Sequence, residues 1–234
     1  MMDLINKFIK KDADYMSEKY LTFDCYGTLL NEEPLYTQIE QAAKEIGVDS
    51  KLARQRFEAY QSDRNNMHPY LDYAILTRNN LIHLDYQFGL THKFEKYYAD
   101  VLISHRNLKP FPEVINTLQE LVKRGYKLIL MSNSSWDIID ANAQALTVPF
   151  DIWTAEDVHA YKPDLHFFKT VDEHYHFTPK NHWHIAEGYG SDIIPADKMT
   201  WPSIWVNRPN EVPNTDVLPT HLVSTLDQIL KYLN

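Results

Sequence analysis

Four short stretches carry the residues with the most chemical capacity, and each follows an apolar run. In LTFDCYGTLL a carboxylate, Asp24, comes directly after the run, with a Gly27–Thr28 turn close behind it. Ser132 and Asn133 follow LILM, and Lys162 stands before Pro163 in the loop after FDIW. Glu187 and Asp192 follow HIA, five residues apart. Carboxylates that share an edge with an ammonium group can supply a nucleophile with its counter-charge, or part of a cation site. Cys25 adjoins Asp24, but on a strand its side chain points to the opposite face, so it reads as a small buried residue.

These stretches act together only if the fold brings them to one edge. From Lys109 onward the chain alternates strand-like and helix-like segments. PEVINTLQELVKRG has Pro112 at its start and Gly125 at its end, an amphipathic helix with helix punctuation. YKLILMSN, FDIWTA, HWHIAEG and PSIWVNR read as strands. WDIIDANAQAL, DLHFFKTVDEHY, DIIPADKM and the terminal STLDQILKYLN read as helices, with Pro163 suited to a first helical position. Short strands alternating with helices predict a parallel sheet covered on both faces. The first strand, YLTFD, is separated from the rest by residues 32–105, which are helix-like and strand-poor, with Asp49 and Ser50 as an N-cap and Gly47 and Gly89 as stops. The expected fold is therefore α/β, a Rossmann-like parallel sheet with helices on both faces, formed by residues 1–31 and 106–234, with an α-helical cap inserted at 32–105. Ligands of such sheets bind beyond the carboxyl ends of the strands, where all four stretches lie.

Composition narrows the classes. The chain has 234 residues, 44% hydrophobic and 24% charged, enough for a full core. Its formal net charge of −9 argues against nucleic acid or an anionic membrane as the main partner, but permits a small anionic substrate at a local positive site. A single cysteine excludes an intrachain disulfide framework and makes a cytoplasmic location the default. No apolar run approaches the roughly 18 residues that span a bilayer. The first twenty residues lack a signal-peptide core and read as a short amphipathic or frayed leader, with Met16 as an alternative start to Met1. GYG is too short for a dinucleotide fingerprint. His174, His176, His182 and His184 have no cysteine companion, and two of them flank a strand entry, so zinc is not expected there.

In order along the chain, FDCYGTL, LILMSN, the lone Lys162-Pro163-Asp164 and the acidic cluster after HIA resemble the four motifs of the haloacid dehalogenase (HAD) superfamily. The resemblance covers nearly the whole chain, including a helical cap in the first insertion position. DCYGTL, SNS and LARQRFEAY are most similar to the type II 2-haloacid dehalogenase branch. The resemblance implies that Asp24 is the nucleophile and forms an ester intermediate, with Thr28 holding its rotamer and Lys162 keeping it ionised. It implies that Ser132 and Asn133 bind the substrate's anionic group, or the oxygen opposite the attack. Arg54 would come down from the cap to hold a carboxylate or a departing halide. Asp192 would help activate the water that cleaves the ester. Tyr26, counted with the substrate-binding residues, stands where HAD phosphatases place a proton-donating aspartate. The cap's aromatic residues would pack its helices, some lining an apolar pocket above Asp24.

Three functions follow. The first is hydrolytic displacement at C2 of a small 2-substituted (2-halo) carboxylic acid, with no cofactor; ring-opening of a strained cyclic amino acid is a variant. The second is Mg²⁺-dependent hydrolysis of a small phosphate ester, with Asp24, Glu187 and Asp192 holding the metal. The third is a weakly active HAD-like protein that binds a ligand. Three positions depart from the dehalogenase pattern: Glu187 replaces a small polar residue, Tyr189 replaces an asparagine, and Phe168 replaces a tyrosine. The branch is often dimeric, so a homodimer is a further expectation.

Overall fold

The computed structural model describes residues 18–234, so the expected leader and the choice of start lie outside the described residues. The first strand, β1 (Lys19–Phe23), is central in a sheet that also contains β4 (Tyr126–Ser132), β5 (Asp151–Thr154), β6 (His182–Ala186), β7 (Ser203–Val206) and β8 (His221–Val223). The spatial order is β5-β4-β1-β6-β7-β8, and every pairing is parallel. The chain builds outward from β1 through β4 to β5, then returns to the other side of β1 with β6. That reversal opens a crevice at the carboxyl end of β1. Phe23 is in register with Leu130 and Ile185, so Asp24, the end of β4 and the end of β6 emerge at one level.

The sheet is covered on both faces because β4 alternates. Leu128 and Leu130 join one apolar cluster, whereas Ile129 and Met131 join another with Phe167, Phe168 and Val171. The covering helices are α5 (Val114–Lys123), α6 (Trp136–Ala145) and α8 (Leu165–Tyr175), with a one-turn α7 (Ala155–Val158) and a short α9 (Ile194–Lys198).

The helical segment leaves and re-enters through one narrow gate. β2 (Leu30–Asn31) and β3 (Lys109–Pro110) pair antiparallel, so the two crossing points lie side by side. Between them run α1 (Glu33–Ile46), α2 (Ser50–Arg64), α3 (Tyr73–Gln87) and α4 (Tyr98–Arg106). In α1, Leu35, Ile39, Ala42 and Ala43 form the buried stripe, and Gly47 ends the helix at φ +89, a left-handed conformation that glycine adopts without strain. Asp49 caps α2 by accepting from the Leu52 N–H. One apolar cluster joins Leu21 and Phe23 of the sheet to Phe57, Leu81 and Leu84 of these helices.

Several boundaries differ from the sequence reading. The strand β8 was not expected, since its three residues carry too little pattern to stand out from the loops around them. The terminal stretch coils as a 3₁₀ segment, Leu226–Lys231, not as an α-helix. Pro163 lies outside α8; Asp164 caps that helix by accepting from the His166 N–H. DIIPADKM begins inside a π-helical turn at Tyr189–Ile193, and α9 starts only at Ile194. Among the described residues no helix is long and apolar enough to cross a membrane. Phe23 is fully buried and meets the Phe150 ring edge-on at 6.2 Å. Phe23→Ala is expected to cost about 3–5 kcal/mol, read as a lower urea midpoint, with little change in the dependence on urea.

Candidate active site

At the crevice Asp24 is 8% exposed and both of its carboxylate oxygens are engaged. Thr28 Oγ1 donates to Oδ2 at 2.7 Å, and Lys162 Nζ donates to Oδ1 at 2.8 Å. The backbone between them explains the Thr28 contact. The Cys25 carbonyl accepts from the N–H groups of both Leu29 and Leu30, and Gly27 takes φ +77. This tight turn folds Thr28 back under the carboxylate. Thr28 Oγ1 also accepts from the Glu187 N–H at 2.7 Å, which leaves its hydroxyl proton directed at Asp24. A Cβ on Gly27 would lie 2.9 Å from Glu187 Oε2, so the turn needs glycine for space as well as for φ.

Lys162 is 1% exposed and bridges two carboxylates, since its Nζ also donates to Asp192 Oδ1 at 2.6 Å. Burial lowers the pKa of the ammonium, but Asp192 and Asp24 outweigh burial and hold it above the ordinary lysine value. For Asp24, burial is the larger influence and moves its pKa up against the pull of Lys162. Asp192 is equally buried, but Lys162 and His184 together hold it below the usual carboxylate range. His184 Nε2 lies 3.2 Å from Asp192 Oδ1, and its Nδ1 lies 2.8 Å from Thr22 Oγ1. Thr22 Oγ1 in turn meets His182 Nε2 at 2.7 Å. The two strand histidines are thus internal supports of the ion network, not metal ligands.

The other positions singled out from sequence divide. Asn133 clasps the lysine loop, donating from Nδ2 to the Lys162 carbonyl at 2.9 Å and accepting the Lys162 N–H on Oδ1 at 2.7 Å. Ser132 is fully buried, and its hydroxyl pairs with Ser134 Oγ at 2.8 Å, so it supports the loop and does not line the crevice. Tyr26 lines the crevice, but its hydroxyl donates to Asn142 Oδ1 at 3.0 Å and sits 3.0 Å from Ser134 Oγ. Burial also raises its phenol well above the ordinary tyrosine value, so it keeps its proton. Cys25 is fully buried and its thiol is raised well above its ordinary value by burial.

Arg54 does not reach the crevice. Its guanidinium is held by Glu33 at 2.5 and 2.8 Å and by Glu58 at 2.7 Å, with Glu40 at 3.5 Å. Three carboxylates satisfy it on the cap, which corrects the expectation that it descends to the substrate. Asp24, Glu187 and Asp192 also fail to form the magnesium set. Among the described residues no group of three His, Cys, Asp or Glu side chains is arranged to hold a metal ion. The physical reason lies at Asp192: Oδ1 serves Lys162 and His184, and Oδ2 accepts from Ser191 Oγ at 2.5 Å. Two departures from the dehalogenase pattern are absorbed into packing. Phe168 packs edge-on to His184 at 5.8 Å, and the Tyr189 hydroxyl donates to the Val217 carbonyl at 2.8 Å.

The crevice itself has a volume of about 500 Å³ and reaches from Asp24 up to α2. It is mixed in character: Tyr73 of the cap lines it, as expected of some of the cap aromatics, but charged groups share the lining. Glu32, Glu58 and Glu187 line it with Asp24, against Lys162 and Arg64. Burial, reinforced by Asp24 and neighbouring carboxylates, raises Glu187 to about 8 and Glu32 to about 7. The sequence reading did not single out Glu32, Glu58, Arg64 or Arg208. Arg208 stacks over the Phe111 ring at 3.8 Å, pairs with Glu113 Oε1 at 2.7 Å and donates to the Gly27 and Thr28 carbonyls at 3.1 and 2.8 Å. It clamps the turn that carries the nucleophile candidate. Its only sequence signal was position, as the last residue of the stretch PSIWVNR.

A parallel α/β sheet with a buried Asp–Lys–Asp network at its switch point and a helical insertion after the first strand defines a class of hydrolases. The chain belongs to the haloacid dehalogenase-like hydrolase family, whose sequence profile matches residues 18–194. It is 26% identical over 221 residues to (S)-2-haloacid dehalogenase 4A of Burkholderia cepacia, covering 88% of this chain and 91% of that protein. It is 28% identical over 210 residues to the (S)-2-haloacid dehalogenase of Pseudomonas sp. strain YL, covering 85% and 86%. In structure it resembles the L-2-haloacid dehalogenase of Xanthobacter autotrophicus solved with chloropropionic acid covalently bound. The TM-score is 0.75 at 20% identity, with 93% of this chain and 100% of that one covered.

Lys162→Met should test the ion network. Without the ammonium, two buried carboxylates face each other, and the expected loss is about 3–5 kcal/mol at neutral pH. One of them must then take a proton that the unfolded chain does not bind, so the variant gains stability as pH falls toward about 4 and loses it as pH rises. Thermal unfolding from pH 4 to pH 8 reads this slope.

Proposed function

We propose that this protein hydrolyses the carbon–halogen bond at C2 of a small 2-halo carboxylic acid. The observation that carries the reading is the state of Asp24: an oriented carboxylate beside a buried ammonium, facing a crevice with no acid aligned to protonate a leaving group at the Tyr26 position. Thr28 and Lys162 hold the two oxygens, so the carboxylate is presented in one rotamer. Attack of a carboxylate oxygen on C2 forms a C–O bond as the C–halogen bond breaks. The halide leaves with the electron pair and needs no proton. The resulting ester links Asp24 to the substrate carbon. Water then adds to the Asp24 carbonyl carbon, the ester opens, and a 2-hydroxy acid leaves with inverted configuration at C2.

The water must lose a proton. Asp192 is fully buried, its oxygens are occupied, and it does not line the crevice. Glu187 lines the crevice beside Asp24, and we assign it the role of proton acceptor. Its raised pKa has a consequence for timing. Once Asp24 is esterified its charge is gone, one of the influences that raise Glu187 disappears, and the carboxyl ionises more readily when a base is needed. Sequence relatives of this chain are named as (S)-2-haloacid dehalogenases, which supports the substrate class. The magnesium-dependent phosphatase reading finds no suitable ligand set among the described residues, and the ligand-binding reading leaves the oriented Asp24 without a use.

The test is halide release from 2-chloropropionate after treatment with a chelator, expected for the native sequence and lost in Asp24→Asn. A single turnover in ¹⁸O-water should leave the product hydroxyl unlabelled and place the label in the Asp24 carboxylate. Turnover of p-nitrophenyl phosphate only with added Mg²⁺, without halide release, would sink the proposal. A second prediction concerns pH. kcat should rise with pH along a limb that lies below about 8, because the acceptor works in its ionised form. Glu187→Gln should remove that limb and trap the ester, detectable by mass spectrometry of the intact chain.

A further inference from the structure

Arg64 is the last residue of α2 and is 3% exposed, yet it sits on a buried face with Ala53 and Phe57. A guanidinium in such a place is ordinarily paired, because burying an uncompensated charge is costly. Arg64 forms no ion pair with any described carboxylate, and its Nη1 has no hydrogen-bond partner. The guanidinium lies over the Tyr73 ring, 5.4 Å from its centroid, and the C-terminus of α2 offers partial negative charge. Neither supplies an acceptor for Nη1. Arg64 lines the same crevice as Asp24.

Its surroundings repeat the pattern. His105 also lines the crevice, is 2% exposed, and has no partner at Nε2. Tyr73 Oη is 2.7 Å from His105 Nδ1. With Tyr73 donating, the proton of the neutral ring is on Nε2, a second donor without an acceptor. Burial, with Arg64 nearby, lowers the His105 pKa to about 3 and keeps the ring neutral. Gln61, one turn before Arg64 and also in the lining, has a buried and unpartnered side-chain oxygen; a flip of the amide presents its N–H₂ instead.

The remaining charge in the crevice sets a direction. Lys162 is fully used by Asp24 and Asp192, and Arg54 by Glu33 and Glu58. Where they are ionised, Glu32, Glu58 and Glu187 repel a substrate carboxylate from their part of the lining, and where they are not they offer it no counter-charge. Arg64 is the one lining cation without a carboxylate partner among the described residues. We infer that Arg64, at the C-terminus of α2, binds the carboxylate of the substrate and so sets which end of the molecule faces Asp24. The task that the family resemblance gave to Arg54 passes to a residue ten positions further along the same helix.

The inference rests on the crevice being the substrate site, and its test reads binding without needing dehalogenation. D-lactate, the 2-hydroxy acid that inversion of an (S)-2-halo acid would release, and its neutral amide, D-lactamide, are titrated by calorimetry. The native protein should bind lactate and discriminate against lactamide. Arg64→Met should weaken lactate by roughly ten- to a hundred-fold, as expected for a lost charge-assisted pair, and abolish the discrimination. Arg64→Lys should recover part of it. Because Met removes an unpaired buried charge, the melting temperature should hold or rise while affinity falls; an arginine with a merely structural role would lower both. Native-like lactate affinity in Arg64→Met, or equal binding of lactate and lactamide by the native protein, overturns the inference. If the methionine variant does not fold, the lysine variant and the native lactate–lactamide comparison decide alone. Arg64-dependent lactate binding without halide release would leave this inference standing and remove the proposed reaction. Halide release with an unchanged KM in Arg64→Met would do the reverse.

Discussion

The ammonium of Lys162, closed between Asp24 and Asp192, is the interaction on which the rest of the site depends. Three charges in a dry environment are tolerated only when geometry is good and the remaining donors and acceptors are filled. Each requirement is met by a different element. Thr28 occupies the second oxygen of Asp24, His184 and Ser191 complete Asp192, and Asn133 ties down the lysine backbone. The end of β1, the end of β4, the loop before α8 and the end of β6 therefore have to meet at one point. The parallel register around β1 is what allows this.

The same network makes Asp192 a different group from the one its place in the chain suggests. An acidic residue in a loop beyond a strand looks available for a cation or a water. Here it is spent on holding Lys162, and the carboxyl left open to the crevice is Glu187. Burial first, and the neighbouring carboxylates second, raise the pKa values of Glu187 and Glu32. A crevice of this kind is acidic when empty and favours a ligand that can relieve the charge or keep clear of it. An anionic substrate has one place in the lining where it meets an unmatched cation, on the side of Arg64, Tyr73 and His105.

The two arginines of α2 show how a correct sequence pattern can name the wrong side chain. Arg54 and Arg64 are ten residues apart, about 80° around the helix axis, so both can lean toward the same side. What separates them is capture: Glu33 and Glu58 stand within reach of Arg54, and no described carboxylate stands within reach of Arg64. Glu33 belongs to a neighbouring helix, so its distance from Arg54 depends on how α1 packs against α2. Arg208 was hidden for a related reason, since its partners are backbone carbonyls about 180 residues earlier in the chain.

What the sequence determined by itself was local. Alternating apolar runs specified the parallel sheet, Gly27 and Thr28 specified the turn behind Asp24, and the position of each polar group just past a strand end placed it at the carboxyl edge of the sheet. These follow from periodicity and backbone sterics, which act over a few residues. Only the tertiary structure decided which charges neutralise one another. It gave Asp192 to Lys162, Arg54 to the cap glutamates, and left Arg64 unmatched. Ion pairing depends on distances of a few ångströms between groups remote in sequence, and on burial that removes the screening of water. Those distances exist only once the helices have packed.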